Sequence, residues 1–397
     1  MTGPGVRPAP QAATRPAGAP RPGDETARLD AFKGLFILLI VAGHNHTLEA
    51  VAGEARGGLY LVHVAMFLLL PFLRPRSTWS RLGWADGLVR YGWPMVVFCT
   101  LYTGLFATFS GRSLGEALVG IPYALVAMSA RVFEDVSGLQ ILWFLPALIG
   151  IRFALKLLGA PGAPSLRVLL PLALAAHLTV GLLPEAWLVI TPLGWPIVAY
   201  MLFPGLLVYA LHEGGFRIPL RYVGPALLVA VLLAVVYRHA GPILGARPSP
   251  PLYSVGKLEI PSIAEPARLL AADAAQVIVL FSALTLCGLS WLQVGLTGFG
   301  RRSLEIFLFH QPIYIALLTL ARKLGGAPGD VATGLLLFCL TVALSFTAAQ
   351  LLAGYPRVRA LLFPQGAPRL RDLTALKRAG SRGLPIRAGT SNPPAAR

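Results

Sequence analysis

The sequence has little charge: only 13% of its 397 residues are Asp, Glu, Lys or Arg, whereas 55% are hydrophobic. An ordinary soluble domain carries about a quarter charged residues, so a soluble protein of this composition could not cover its surface. The same deficit excludes fibrous and disordered classes. The apolar residues arrive in long blocks, as a polytopic membrane protein requires.

Signatures of metal and cofactor chemistry are also missing. The three cysteines, Cys99, Cys287 and Cys339, lie inside apolar blocks without a CxxC or any other ligand spacing. The sequence contains no HExxH motif, carboxylate cluster, GxSxG, phosphate-binding loop or dinucleotide glycine signature. We therefore expect no metal site and no tightly bound cofactor.

Ten apolar blocks are long enough to span a bilayer as helices, and they predict an all-α polytopic membrane protein with about ten transmembrane helices. The blocks are residues 31–51, 59–73, 91–109, 139–158, 166–184, 190–211, 222–238, 271–292, 303–321 and 331–354. An even number of spans places both termini on one side. Most of the 34 Lys and Arg residues fall on the cytoplasmic side when both termini are cytoplasmic, which favours that orientation.

The remaining segments are two tails and two long loops. Residues 1–28 are rich in Pro, Ala, Gly and Arg and predict a disordered cytoplasmic tail. Residues 29–354 form the membrane domain, and the basic tail 355–397 is expected to lie on the anionic inner leaflet. Residues 110–138 and 239–270 are interpreted as long outer loops.

The excess of basic residues gives a net charge of +17. These residues are dispersed and form no patch interleaved with aromatic residues, so the excess indicates membrane topology rather than nucleic-acid binding.

The first block carries the most informative pair of polar residues. Lys33 and His44 are eleven residues apart, close to three helical turns, so they share a face about 16 Å apart. With Lys33 at the cytoplasmic interface, His44 lies near the middle of the bilayer, where a polar ring is a candidate for function. Burial favours the neutral imidazole, which can accept a proton from a hydroxyl attacking an acyl carbon. An interhelical hydrogen bond by His44 and snorkelling by Lys33 are the alternatives.

Residues 28–46 resemble the opening of the membrane-bound acyltransferase family 3, especially its fucose O-acetylase-like branch. The positions that match are Asp30, Lys33, Gly34, Gly43 and His44. Four later segments continue the resemblance in the same order: residues 62–73, 88–94, 142–148 and 300–314. The chain departs from the family at Gly87, where some members carry the first residue of an Arg-x-x-Arg pair, and at Phe307, where Tyr is usual.

The resemblance implies a specific reaction and a set of site residues. An acyl group, with acetyl expected, would pass from acyl-CoA (acetyl-CoA) bound on the cytosolic side to a carbohydrate or glycoconjugate hydroxyl, as in polysaccharide O-acetylation. His44 would be the general base, with His310 assisting it. Lys33 and Arg90 would bind the donor, and His63 would contact the acceptor. The lipid bilayer is the remaining expected partner, and it is expected to be a bacterial plasma (inner) membrane.

Several alternatives remain at this stage. A transporter or flippase of a polar or lipid-linked solute would use the same intramembrane polar residues as a substrate path, and a non-catalytic scaffold is a third reading. His310 shares a helical face with Tyr314 and could tie helices together. The arginines between positions 74 and 90 could bind phosphates or only set topology. Glu305 is expected to pair with Arg301 or Arg302 at the membrane interface.

Overall fold

The computed structural model describes residues 22–48, 54–111, 113–181, 190–243, 264–325 and 330–364, and within these ranges the chain is helical, with no strand. The α-helices are α1 Pro22–Gly43, α2 Glu54–Leu69, α3 Arg76–Trp79, α4 Trp84–Gly87, α5 Trp93–Ser110, α6 Leu114–Ala127, α7 Ala130–Ser137, α8 Phe144–Leu158, α9 Leu166–Gly181, α10 Trp195–Glu213, α11 Leu220–Ile243, α12 Ala264–Leu286, α13 Ser290–Arg301, α14 Ser303–Lys323, α15 Val331–Gly354 and α16 Pro356–Leu362. A π-helical turn, Leu88–Gly92, leads into α5, and short 3-10 turns at Leu70–Leu73, Gln140–Trp143 and Pro192–Gly194 adjoin α2, α8 and α10.

Six described helices are long and apolar enough to cross a membrane, so the all-α membrane architecture is confirmed at this level. They are the stretches Ile141–Leu158, Pro192–Glu213, Leu220–Tyr237, Ala267–Leu286, Ser303–Lys323 and Val331–Gly354. Each falls on one of the ten predicted blocks. The other four blocks coincide with α1, α2, α5 and α9, and the total of ten spans with both termini cytoplasmic stays a prediction.

Segments predicted as tails or loops contain helices. Helix α1 begins at Pro22, inside the predicted tail 1–28. The predicted loop 110–138 contains α6 and α7, whose N-caps Ser113 and Ser129 accept hydrogen bonds from backbone N–H groups three residues later. Apolar runs this short are ambiguous in sequence, and the serine caps were the available signal. The rest of tail 1–28, most of the predicted loop 239–270 and residues 365–397 lie outside the described residues.

The start of the predicted C-terminal tail packs onto the helices. Helix α16 follows α15 directly, and the Arg359 guanidinium contacts the Glu305 carboxylate, with Nη2–Oε1 at 3.0 Å. The indole of Trp93 donates a hydrogen bond to the Leu361 carbonyl. Phe363 is buried against Phe98, with ring centroids 5.5 Å apart. These contacts fix residues 356–363 against the bundle.

Helix α1 is surrounded by α13, α2 and α14, and its closest neighbour is α13. Two glycines make this close approach possible. A Cβ on Gly34 would overlap the Leu296 carbonyl, and one on Gly300 would overlap the Asp30 carbonyl. Because Gly300 opens the segment 300–314, this contact gives a physical reason for a glycine there, and it fixes Asp30 beside Lys33.

Replacing Gly300 with Ala is expected to destabilise the bundle, since α13 must move away from α1. Gly298→Ala is the matched control, because a Cβ at Gly298 would lie 3.7 Å from the Phe346 ring, an ordinary contact. Both variants gain the same helix propensity, so their difference isolates the overlap. We expect Gly300→Ala to be less stable by about 1–3 kcal/mol in detergent denaturation. Equal stability of the two variants would contradict the α1–α13 packing.

Candidate active site

His44 lies in the turn that follows α1 rather than within the helix. The predicted first block, 31–51, is therefore interrupted, since α1 ends at Gly43. His44 is 5% exposed, and its Nδ1–H donates a hydrogen bond to the Ile40 carbonyl at 2.8 Å. This bond fixes the tautomer, so that Nε2 is the nitrogen able to accept a proton.

The turn is held by Asn45, whose role the sequence analysis did not identify. Its side-chain oxygen accepts hydrogen bonds from the backbone N–H groups of Thr47 and Leu48, each at 3.1 Å, and so caps the helical turn that follows. Its amide donates to the Gly334 carbonyl on α15 at 2.8 Å. The Thr47 N–H also reaches the Tyr314 hydroxyl at 3.3 Å. Elements distant in sequence thus fix the His44 backbone.

The structure brings together three of the predicted site residues. The ring centroid of His44 lies 5.1 Å from that of His310 and 6.0 Å from that of His63. His63 and His310 are fully buried, and their Nδ1–H groups donate to the carbonyls of Leu59 and Phe307 at 2.7 and 2.6 Å. We call His44, His63 and His310 the histidine cluster.

Each ring of the histidine cluster is oriented by the same device, an Nδ1–H bond to a carbonyl one helical turn earlier. Each neutral ring therefore presents Nε2 as a proton acceptor. The Nε2 of His310 is buried and has no hydrogen-bond partner among the described residues. A neutral imidazole held in this tautomer can take a proton from a hydroxyl.

Within the described ranges, no group of three or more His, Cys, Asp or Glu side chains is placed to hold a metal ion. The expectation of a site without metal or bound cofactor stays a prediction.

Lys33 lies near the middle of α1, about three turns before His44, and is held by Asp30. The Lys33 ammonium lies 2.5 Å from one carboxylate oxygen of Asp30, and Nε of Arg301 lies 3.3 Å from the other. Asp30 is 7% exposed, whereas the Lys33 side chain is about one-third exposed. Asp30 therefore positions two cations. Its part in the site was not predicted from sequence beyond its match to the resemblance.

A cavity of about 970 Å³ begins among these charges. Its basic lining residues are Arg28, Lys33, Arg74, Arg90, Arg152, Arg217, Arg301 and Arg359, and its acidic lining residues are Glu25 and Glu305. We call this part of the cavity the charged end. Arg74 and Arg90 are exposed, so the charged end reaches the surface. An excess of cations on this scale suits a polyanionic ligand.

The contacts of Arg76 were not predicted, and the predicted partner of Glu305 was wrong. Arg76 does not line the cavity: its guanidinium donates to the carbonyls of Leu158 and Pro164 and fixes the loop after α8. Glu305 is buried and pairs with Arg359, not with Arg301 or Arg302 as expected from its position. The correct partner of Glu305 lies on α16, 54 residues away.

Arg152 on α8 lines the cavity, and the sequence analysis did not single it out. Its Nε is buried and has no hydrogen-bond partner within the described part of the chain. A Cβ on Gly87 would lie 3.3 Å from this Nε. The Arg152 guanidinium therefore lies beside Gly87, the position at which the sequence departs from the Arg-x-x-Arg pair. No local pattern in the sequence predicts this contact.

The rest of the cavity lining is largely apolar and includes residues that contact the histidine cluster. It includes Ile37, Ile40, Phe67, Phe144 and Phe307. The carbonyls of Ile40 and Phe307 are the acceptors that orient His44 and His310. The cavity therefore connects the charged end with the residues that support the two rings.

The same order of residue types recurs on the helices around the cavity. Passing from the charged end, α1 presents Lys33 and Ile40, and His44 follows in the next turn; α14 presents Glu305, Phe307 and then His310; the α2 region presents Arg74, Phe67 and then His63; and α8 presents Arg152 and then Phe144. The four regions thus build a charged layer and an apolar layer that line the cavity, and three of them add an imidazole layer beyond its lining.

A buried pair of a histidine and an aspartate lies outside the cavity lining. Nε2 of His177 on α9 is 3.1 Å from Oδ2 of Asp273 on α12, and its Nδ1–H donates to the Tyr200 carbonyl at 2.7 Å. Both side chains are almost fully buried. The pair joins α9, α10 and α12, and the sequence analysis did not identify it.

One known protein family matches most of the chain. A family model described as an acyltransferase domain, that of acyltransferase family 3, matches residues 26–352. No curated protein and no solved structure gives a significant match to the chain. The matched region begins within α1, ends within α15 and contains the whole histidine cluster. The chain therefore belongs to acyltransferase family 3.

Proposed function

We propose that the protein is an integral-membrane O-acyltransferase that moves an acetyl group from acetyl-CoA to a carbohydrate or glycoconjugate hydroxyl. The observation that carries the proposal is the cavity, whose lining extends from a strongly basic end to Ile40 and Phe307, the residues that bond to His44 and His310. The family match supports the acyltransferase class over a transporter or flippase.

The donor fits the charged and apolar layers of the cavity and the imidazole layer beside them. The phosphates of coenzyme A are bound at the charged end, where Lys33, Arg90 and Arg152 lie, since guanidinium and ammonium groups suit phosphate oxygens. The less polar arm of the donor passes the apolar layer. The thioester then reaches the histidine cluster, with the charged end facing the cytosol and both chain termini on that side.

The histidine cluster performs the transfer. The Nε2 of His44 accepts the proton of the acceptor hydroxyl as its oxygen forms a bond to the thioester carbon. The tetrahedral intermediate collapses, the carbon–sulfur bond breaks, and the leaving thiolate takes the proton back from His44. His310 offers a second acceptor beside the hydroxyl, and His63 contacts the acceptor from α2.

The acceptor is proposed to be a sugar because residues 28–46 resemble the fucose O-acetylase-like branch. It reaches the histidine cluster from the side opposite the charged end, so that the donor and the acceptor meet across a bacterial plasma membrane. Polysaccharide or glycoconjugate O-acetylation is the outcome.

Reconstituted vesicles test this function directly. Protein oriented with the charged end outward receives radiolabelled acetyl-CoA outside, while oligosaccharides of defined composition are enclosed within. We expect labelled, base-labile esters on the enclosed sugar and one free CoA released per ester. Solute flux without release of CoA would instead support the transporter alternative and overturn the proposal.

A further inference from the structure

We propose that three phenylalanines, Phe67, Phe144 and Phe307, limit the donor to short acyl chains; this inference rests on the proposed function. We call these residues the aromatic collar. They come from α2, α8 and α14 and meet where the apolar layer of the cavity adjoins the histidine cluster.

The rings of the aromatic collar form a connected set. The centroids of Phe144 and Phe307 are 4.9 Å apart, and those of Phe67 and Phe144 are 6.1 Å apart with the rings nearly perpendicular. Phe307 lies 5.9 Å from the His310 ring. Phe144 and Phe307 are each only 4% exposed. Two rings of the collar are therefore buried, Phe67 is half-buried, and Phe307 adjoins the imidazole layer.

The geometry that acyl transfer requires places the acyl group of the donor beside the aromatic collar. The attacking oxygen must be within hydrogen-bond reach of a histidine Nε2 and about 3–3.5 Å from the thioester carbon. Since the donor reaches the histidines past the collar, the carbons attached to that carbonyl lie against the collar or the histidine rings. An acetyl group adds one methyl there, whereas each further methylene must displace a packed ring or enter a polar, buried cluster.

The energetic consequence is a length limit. Forcing additional methylenes into a packed site costs about 1–3 kcal/mol, and one methylene changes substrate preference by about tenfold or more. We therefore expect the wild-type protein to use acetyl-CoA far better than octanoyl-CoA, with butyryl-CoA between them.

The test compares kcat/KM for acetyl-, butyryl- and octanoyl-CoA in Phe67→Ala, Phe307→Ala and wild-type protein. Removing either ring is expected to raise the octanoyl-to-acetyl ratio of kcat/KM by about tenfold or more. Phe281→Ala is the matched control: Phe281 lines the same cavity but packs on Phe216, with centroids 5.1 Å apart, next to Arg217 at the charged end. Its ratio should equal that of wild type.

Phe67→Ala and Phe307→Leu keep the test decisive if Phe307→Ala fails to fold. Phe67 is only half-buried, so Phe67→Ala tolerates truncation better than Phe307→Ala, and Phe307→Leu keeps most of the buried volume. Ratios unchanged in every folded collar variant, or a wild-type protein that accepts octanoyl-CoA as well as acetyl-CoA, would overturn the inference. Absence of CoA release from every donor would instead reject the proposed function.

Discussion

Acyl transfer by the His44→Ala protein is expected to fall by about 10²–10⁴-fold in kcat, because the general base is lost. In the proposed function the donor phosphates are bound at the charged end of the cavity, about 16 Å away along α1, so KM for acetyl-CoA should stay near the wild-type value. Initial rates of free CoA release in the presence of a sugar acceptor measure both quantities. His44→Gln, which keeps a polar side chain but not the base, should lose a similar factor.

His46→Ala is the matched control for this experiment. His46 is exposed and lies two residues beyond His44, in the turn capped by Asn45, so its loss tests whether any disturbance of the turn is sufficient. We expect its activity to remain close to wild type. Thermal denaturation of both variants shows that the bundle is intact. Full activity of folded His44→Ala protein would contradict the mechanism.

The spacing of Lys33 and His44 was the strongest signal in the sequence. In the structure Lys33 lines the cavity, and His44 is bonded to the carbonyl of Ile40, another lining residue. The interruption after Gly43 was not predicted, because the apolar run hides it. Asn45 followed by Thr47 and Leu48 fits a helix cap, but a cap is recognisable only when the preceding helix is known to end. The third histidine contact, from His63, came from the resemblance and not from any local pattern.

The arrangement of charges could not be predicted in the same way. Asp30 meets Arg301 across 271 residues, and the partner of Glu305 lies in a segment interpreted as a tail. Local periodicity gives the face of a helix on which a residue lies, but not which helix is its neighbour. Positive-inside topology explained every arginine on the predicted cytoplasmic side equally well. Sequence alone therefore could not separate Arg152, which lines the cavity, from Arg76, which fixes a loop.

Arg152 is expected to control the affinity for the donor, and its removal should raise KM for acetyl-CoA strongly. A buried guanidinium nitrogen without a hydrogen-bond partner among the described residues is costly to desolvate, and a phosphate oxygen of the donor would supply the missing acceptor. A hydrogen bond to a charged group contributes about 1.5–3 kcal/mol, which corresponds to about 10–100-fold in affinity. Arg152→Ala should therefore raise KM for acetyl-CoA by about that factor with little change in kcat.

Two further variants isolate the contribution of Arg152. Arg81→Ala removes an exposed arginine of the same basic region that does not line the cavity, and its KM should match wild type. Arg152→Lys keeps the charge but not the planar donor fork, so it should restore only part of the affinity. Calorimetric titration with CoA itself separates binding from turnover. Because Arg152 is about eight residues, or about 12 Å, along α8 from Phe144 in the apolar layer, a loss confined to kcat would mean that the donor phosphates do not lie at the charged end.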